Sequence, residues 1–132
     1  MKIKQVSVFV ENQPGRLLTM LQALEKSGRN IRALSVSETA EFGIVRMILD
    51  DADSGMDALK RAGYTTRHDD VISAEIPDIP GGLMKSVAEP IAAAGINISY
   101  FYAFLEPSPG KARIVLKTDD LDKTEQVLGI KS

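Results

Sequence analysis

Apolar and polar residues alternate with period two over Val6, Val8 and Val10, the mark of a half-buried strand, and Pro14-Gly15 closes that run. Leu17, Leu18, Leu21 and Leu24 then recur at helical spacing, so a helix follows, with Gly28 as its stop. Residues 30–36 and 44–49 read as two further strands joined near Glu41-Phe42-Gly43. Asp50-Asp51 ends the second, and Asp53 or Ser54 is placed to cap a short helix through Leu59, closed by Gly63. Residues 64–67 read as a weak last strand, and Asp69-Asp70 as the join to a second set. That set starts with a strand over 71–76 and a helix over 82–94 burying Leu83, Met84, Val87 and Ile91. Pro90 lies inside this helix and predicts a kink, because the carbonyl four residues earlier loses its partner. A strand over 98–105, a turn over 106–110, a strand over 112–118 and a helix over 121–128 complete the pattern.

The second set echoes the first. Pro14-Gly15-Arg16-Leu17 returns as Pro80-Gly81-Gly82-Leu83, 66 residues on; Gly28-Arg29-Asn30-Ile31 returns as Gly95-Ile96-Asn97-Ile98, 67 on; Asp50-Asp51 returns as Asp119-Asp120, 69 on. Three landmarks in one order, drifting by one and then two residues, are the signature of a duplicated unit with loop insertions. Each copy reads strand, helix, strand, strand, helix, strand, which divides the chain into units 1–70 and 71–132. Gly129-Ile130-Lys131-Ser132 is too short for a full strand, so the second unit is expected to be truncated at one edge.

The repeated strand-to-helix turns, Glu11-Asn12-Gln13-Pro14-Gly15 and Pro77-Asp78-Ile79-Pro80-Gly81-Gly82, are where candidate chemistry gathers. Such a junction presents unpaired backbone N–H groups at the positive end of a helix dipole, which suits a carboxylate or phosphate. Glycine lets a ligand approach the backbone closely, and Asn or Asp just before it offers an oxygen to an ammonium group or a helix cap. A zwitterion fits that pairing better than a phosphate, and neither a phosphate-cradling Gly-rich loop ending in Lys-Ser/Thr nor a dinucleotide fingerprint occurs in the chain. Plain helix capping with a tight turn is the competing explanation.

On these residues the chain resembles the ACT domain, a small regulatory module of amino-acid metabolism: Asn12-Gln13-Pro14-Gly15-Arg16-Leu17 with Gly28-Arg29-Asn30-Ile31, and Asp78-Ile79-Pro80-Gly81-Gly82-Leu83 with Gly95-Ile96-Asn97-Ile98. The resemblance covers nearly the whole chain. It implies an α+β protein of two ferredoxin-like βαββαβ units, with antiparallel sheets packed side by side and helices on one face. It further implies a non-catalytic protein that binds an amino acid near an interface between units. In serine-sensing members two Asn positions contact the effector, and they match Asn12 and Asn30. Val10 replaces the His often found two residues before the first, a departure that bears on serine specificity. In the second copy Asp78 replaces the first Asn, while Asn97 is kept. The expected ligand-binding residues are therefore Asn12, Gln13, Gly15, Arg16, Leu17 and Asn30, and in the second copy Asp78, Ile79, Gly81, Gly82, Leu83 and Asn97.

Tyr100 and Tyr102 join that set on other grounds. Tyr100, Tyr102 and Phe104 point to one side of their strand and Phe101, Ala103 and Leu105 to the other, so both faces are apolar or amphipathic. Such a strand is either packed in the core or covered at an interface or pocket. As an edge it is expected to pair with the equivalent strand 32–37 of the first copy or of another subunit.

Composition narrows the classes. The 132 residues carry 16 basic and 18 acidic side chains, a net charge of −2, which argues against electrostatically driven nucleic-acid binding. No apolar stretch approaches the roughly 20 residues that span a bilayer, and the first residues run straight into a strand pattern; a cytoplasmic protein is expected. With no cysteine and one histidine, thiolate metal sites and thiol catalysis are unavailable; His68, Asp69 and Asp70 form at best a loose hard-cation cluster. Adjacent carboxylates at 50–51 and 119–120 fit helix-start electrostatics better than acid-base work. The expectation is a cytoplasmic, homodimeric, non-catalytic sensor of a free amino acid, with no cofactor or metal, acting on an enzyme or transcription factor not named by the sequence. The alternative is a ligand-free scaffold that regulates a partner protein through sheet-edge or helix contacts.

Overall fold

The computed structural model describes residues 1–38, 42–106 and 109–130. They form two compact units, an N-terminal one of Lys4–Asp69 and a C-terminal one of Asp70–Ser132 together with Met1–Ile3. Both are ferredoxin-like.

In the N-terminal unit β1 (Lys2–Glu11), α1 (Arg16–Lys26), β2 (Ile31–Glu38), β3 (Phe42–Leu49) and α2 (Ala52–Arg61) lead into β4 (Thr65–Pro77). The sheet runs β2-β3-β1 with the first residues of β4 beside β1. Antiparallel pairing sets Val8 opposite Val45 and Val10 opposite Gly43, so the alternating valines meet the apolar side of β3. Val6, Val8, Val45, Met47 and Leu49 pack on Met20 and Leu24 of α1 and Met56 and Leu59 of α2. Helix α1 presents Met20 and Leu24 to the sheet with Leu17 and Leu21 beside them, and Leu18 turns out to solvent. The expected stripe included Leu18; Met20 takes its place because the core face follows the 20/24 and 17/21 pairs four residues apart.

In the C-terminal unit β4 is followed by a π-helical turn (Met84–Ala88), α3 (Glu89–Ala93), β5 (Ile98–Ala103), β6 (Lys111–Thr118) and α4 (Leu121–Leu128). β4 pairs β6 and β6 pairs β5, both antiparallel. Ile72, Ala74, Ile76, Ile114 and Leu116 pack on Val87 and Ile91. Buried beside them, the Thr124 hydroxyl lies 2.7 Å from both Thr118 Oγ1 and the Asp120 carbonyl. Since Thr124 donates to the carbonyl, Thr118 must donate to Thr124.

Several expectations are corrected. The weak strand over 64–67 and the strand over 71–76 are one thirteen-residue strand; the boundary between the units does fall between Asp69 and Asp70, but inside this strand rather than at a break in it. The helix expected over 82–94 is not a regular α-helix around Pro90. The backbone over Met84–Ala88 widens into a π turn and Pro90 falls at the start of α3. In the π turn the Glu89 amide donates to the Met84 carbonyl five residues back, and Pro90 falls in the first turn of α3, where a missing N–H costs least. Met84, expected in the core, is exposed on that turn. The strand over 98–105 ends at Ala103, with Phe104 held by its amide to the Arg113 carbonyl (2.9 Å) and its ring under the Arg113 guanidinium. The expected turns at Glu41 and at residues 107–108 lie outside the described residues.

The caps of α2 and α4 are neither Asp53 nor Ser54 but the second carboxylate of each Asp-Asp pair. Asp51 accepts from the Ser54 amide at 3.1 Å and Asp120 from the Lys123 amide at 3.0 Å, both from extended backbone. Replacing either by Ala removes the acceptor for an otherwise unpaired N–H. Asp51→Ala and Asp120→Ala are each expected to cost about 1 kcal/mol in urea unfolding.

The C-terminal unit does lack a strand of its own after α4 among the described residues, but the edge is not left bare. The Ser73 amide donates to the Met1 carbonyl (2.8 Å) and the Met1 amino group to the Ser73 carbonyl (3.3 Å), so Met1–Ile3 fills the position of the missing strand. Lys2 adds ion pairs to Asp122 and to the buried Glu125 of α4. Its hydrogen bond to Asp122, with the nearby charges of Asp122 and Glu125, holds the Lys2 ammonium above its ordinary pKa against desolvation.

Candidate functional site

The first mouth is built where β1 gives way to α1. The Gln13 amide turns back to the Glu11 carbonyl (2.8 Å), the Arg16 amide to the Gln13 carbonyl (3.2 Å) and the Thr19 amide to the Gly15 carbonyl (3.0 Å). Gly15 takes φ +83, a conformation L side chains rarely adopt, and nothing lies within 4 Å of where its Cβ would be. No side chain caps α1. The following amides of Leu17 and Leu18 have no intrahelical acceptor by helix geometry, so the helix end faces outward with unused donors. Arg16 leans back over the loop, to Gln13 Oε1 at 3.3 Å and to the Glu11 carboxylate at 3.7 Å.

Beneath this turn is a cleft of about 90 Å³ lined by Val10, Glu11, Asn12, Gln13, Leu17, Val36, Gly43 and Val45. The structure thus brings together Val10, the residues of the turn (Glu11, Asn12 and Gln13) and Leu17 with three that the sequence did not single out as site residues. Val36, Gly43 and Val45 come from β2 and β3; a single register fact joins them, since Val36 stands opposite Val45 and Gly43 opposite Val10. The available signal was Gly43, a bare position in an otherwise apolar strand.

Asn30 is not part of this cleft. It follows α1, whose eleven residues span about 16 Å at 1.5 Å per residue, and it lines an open groove with Leu21, Gly28 and Arg29. Its exposed position rests on the backbone: its amide donates to the Asp50 carboxylate (3.1 Å) and its carbonyl accepts from the Asp50 amide (3.1 Å). Asn97 makes the same reciprocal pair with Asp119, at 3.1 and 3.2 Å. Asp50 and Asp119 are therefore clamps for these Asn positions, a role their shared spacing in the two copies foreshadows.

The second mouth differs. Gly81 has φ +78 and open space around it, as Gly15 does. Gly82, expected to leave room for a ligand, is instead buried against its own chain, where an added Cβ would sit 2.2 Å from the Pro77 carbonyl oxygen. The Asp78 amide donates to the Gly110 carbonyl (3.1 Å). Asp78 lines an open groove of about 470 Å³ with Phe104, Glu106, Lys111 and Arg113, in which Arg113 also bonds Ser73 Oγ at 3.1 Å. Ile79 is exposed and Leu83 packs on the core. Tyr100 and Tyr102 lie on one side of β5 with ring centres 6.4 Å apart, and β5 pairs β6 as the outer strand of its unit. Among the described residues no cluster of acidic groups and histidine able to hold a metal is found, and no helix is long and apolar enough to cross a membrane.

Two mixed units, each with a glycine-turned mouth, have a counterpart among known families. The model of the ACT domain pair matches residues 1–132. The chain belongs to the ACT-domain-pair family. A solved structure, that of protein BT0572 from Bacteroides thetaiotaomicron, is 35% identical, with a TM-score of 0.89 over 98% of this chain and 88% of that one. The ligand-free regulatory subunit of aspartate kinase from Thermus thermophilus shares the fold at 15% identity, with a TM-score of 0.70 over 98% and 93% of the two chains. The corresponding subunit from Thermus flavus does so at 15% identity, with a TM-score of 0.65 over 98% and 94%. No curated protein matches the chain.

Proposed function

We propose that this ACT-domain pair is a non-catalytic cytoplasmic regulator that binds a free amino acid at the mouth of its N-terminal unit. The observation that carries the reading is the cleft under the Glu11–Gly15 turn, which is open rather than filled by the protein's own side chains. An α-carboxylate is matched to the uncapped start of α1, where Gly15 lets it come close to the backbone. The ammonium is matched to the Asn12 side chain at the rim. Asn30 lies too far along α1 to reach the same molecule within one unit, so its contribution requires a second copy of the chain. Val36 and Phe42, both exposed on the strands beside the mouth, offer that copy an apolar surface. The molecule that responds to binding is an enzyme or transcription factor of a kind the chain does not name.

The test is thermal unfolding with each of the twenty amino acids at millimolar concentration. A ligand that binds only the native state at 100 times its Kd adds about 2.7 kcal/mol, enough to raise Tm by several degrees. Asn12→Ala is expected to cut that shift at least by half. If no amino acid moves Tm, the sensor reading fails, and the scaffold alternative, which rests on the open sheet edges, takes its place.

A further inference from the structure

The cleft at the N-terminal mouth is more than open; its size and lining select what enters it. We infer that it receives the side chain of a branched aliphatic amino acid, valine, leucine or isoleucine, an assignment that rests on the amino-acid-binding reading above.

Three observations carry this. The lining below the rim is apolar: Val10, Leu17 and Val45 form the floor, and the exposed Val36 stands at the open side. The strand residues of the floor lie inside the sheet, Val10 opposite Gly43 on β1 and β3 and Val45 opposite both Val8 and Val36. Polar side chains stand at the rim, where Glu11, Asn12 and Gln13 are all exposed. A guest with a hydroxyl, amide or charge at the end of its side chain would carry that group into a floor with no partner for it, whereas its α-ammonium and α-carboxylate can stay at the rim.

Volume narrows the choice further. An apolar protein cavity of about 150 Å³ holds benzene, six carbons. By the same scale 90 Å³ matches three or four, the size of an isopropyl, isobutyl or sec-butyl group.

The third observation is how the space arises. Gly43, Val45 and Met47 alternate along the core face of β3, and Gly43 is the one position of the three without a side chain, at the end nearest the mouth. A Cβ there would meet the Val10 and Ser37 carbonyl oxygens at 3.6 and 3.7 Å, ordinary contact, and its φ is not positive. The fold therefore does not need glycine at 43; the cleft does. In the C-terminal unit the same register position, opposite Ile76, is Ala112. Its methyl group, and Ala103 where the first unit has Val36, make that mouth a different receptor, so one aliphatic guest per chain is expected.

The experiment is calorimetric titration of the full chain with leucine, isoleucine, valine, serine, glutamine, aspartate, lysine and phenylalanine, on wild type, Gly43→Ala and Gly43→Val. A methylene in an apolar pocket is worth roughly 10- to 200-fold in discrimination. At least one of the three branched residues is expected to bind tenfold or more tightly than any other, at one per chain. Gly43→Ala should weaken it at least tenfold and Gly43→Val abolish it, while both variants keep or raise the ligand-free Tm. Tighter binding of a polar, charged or aromatic amino acid overturns the aliphatic assignment and leaves the sensor reading standing. Branched-chain binding that Gly43→Ala leaves unchanged also overturns it, because the guest then lies elsewhere. If no amino acid binds wild type, both readings fall together. Loss of binding in a variant counts only where its Tm is retained, which the alanine, facing nothing closer than 3.6 Å, is expected to satisfy.

Discussion

Gly82→Ala is expected to lower the stability of the C-terminal unit by about 3 kcal/mol, far more than its neighbour Gly81→Ala. The Cβ of an alanine at 82 would lie 2.2 Å from the Pro77 carbonyl oxygen and 3.2 Å from the Pro77 carbonyl carbon. Both atoms are backbone, at the end of a strand paired to Lys111, so neither can swing aside as a side chain would. Relief requires moving the turn or the end of β4, and enforced overpacking of this kind sits at the top of the usual 1–3 kcal/mol range. Gly81 poses the opposite case. Nothing lies within 4 Å of its missing Cβ, but its φ of +78 strains any L side chain, so Gly81→Ala is expected to cost about 1 kcal/mol. Urea unfolding followed by tyrosine fluorescence compares the two. Equal losses would mean that Pro77 and Gly82 do not approach each other as described.

That contrast bears on how much of the mouth was legible beforehand. Pro-Gly after a strand and before leucines at helical spacing marks a turn in both copies, and both turns are there. What a glycine is for depends on what stands across from it, and that partner is remote in space or hidden in backbone geometry. Gly81-Gly82 looked like room for a ligand; one of the pair instead accommodates a carbonyl five residues back. Gly43 looked like part of a hairpin turn and is the residue that leaves a cleft, because only the β1–β3 and β2–β3 registers bring it beside Val10 and Val45. Asn12 and Asn30 repeat with the copies and invite a common site, yet an eleven-residue helix separates them.

The elements themselves were largely legible, since period two in β1 and period 3.6 in α1 are local. The misreadings come from tertiary effects. Asp69-Asp70 looks like a break between strands and is the boundary between the units, yet β4 runs through it; a carboxylate in a strand is tolerated when it has somewhere to point, and Asp69 accepts from the Gln5 side chain at 3.1 Å. The helical segment around Pro90 widens into a π turn before it, and Val87 and Ile91 on either side of the proline are both in the core. Asp51 caps α2 two or three residues earlier than expected: Asp50 is engaged with Asn30, and Asp51 beside it is in the extended backbone from which its carboxylate reaches the Ser54 amide. The largest omission was the strand that completes the C-terminal unit, since pattern reading looks for it at the end of the repeat and it comes from the beginning of the chain.

Ser73→Pro tests that completion and is expected to be severe, on the order of 3 kcal/mol or more, confined to the C-terminal unit. Ser73 lies in the interior of β4, between Met1 on one side and Val115 on the other, and only 9% of it is exposed. Proline there deletes the amide that reaches the Met1 carbonyl at 2.8 Å, leaves that carbonyl without its donor and forces a ring into a central strand, where proline is rarely tolerated. Ser73→Ala keeps the amide and loses only the hydroxyl that accepts from Arg113 at 3.1 Å, so about 1 kcal/mol is expected. Hydrogen exchange separates the cases. In Ser73→Pro the amides of β6 and α4 should lose protection while those of β3 and α2 keep theirs, because each unit has its own core of buried apolar side chains. Were the proline variant no worse than the alanine one, Met1–Ile3 would not be the strand on which that unit depends. Loss of protection in β3 and α2 as well would show that the two cores unfold as one.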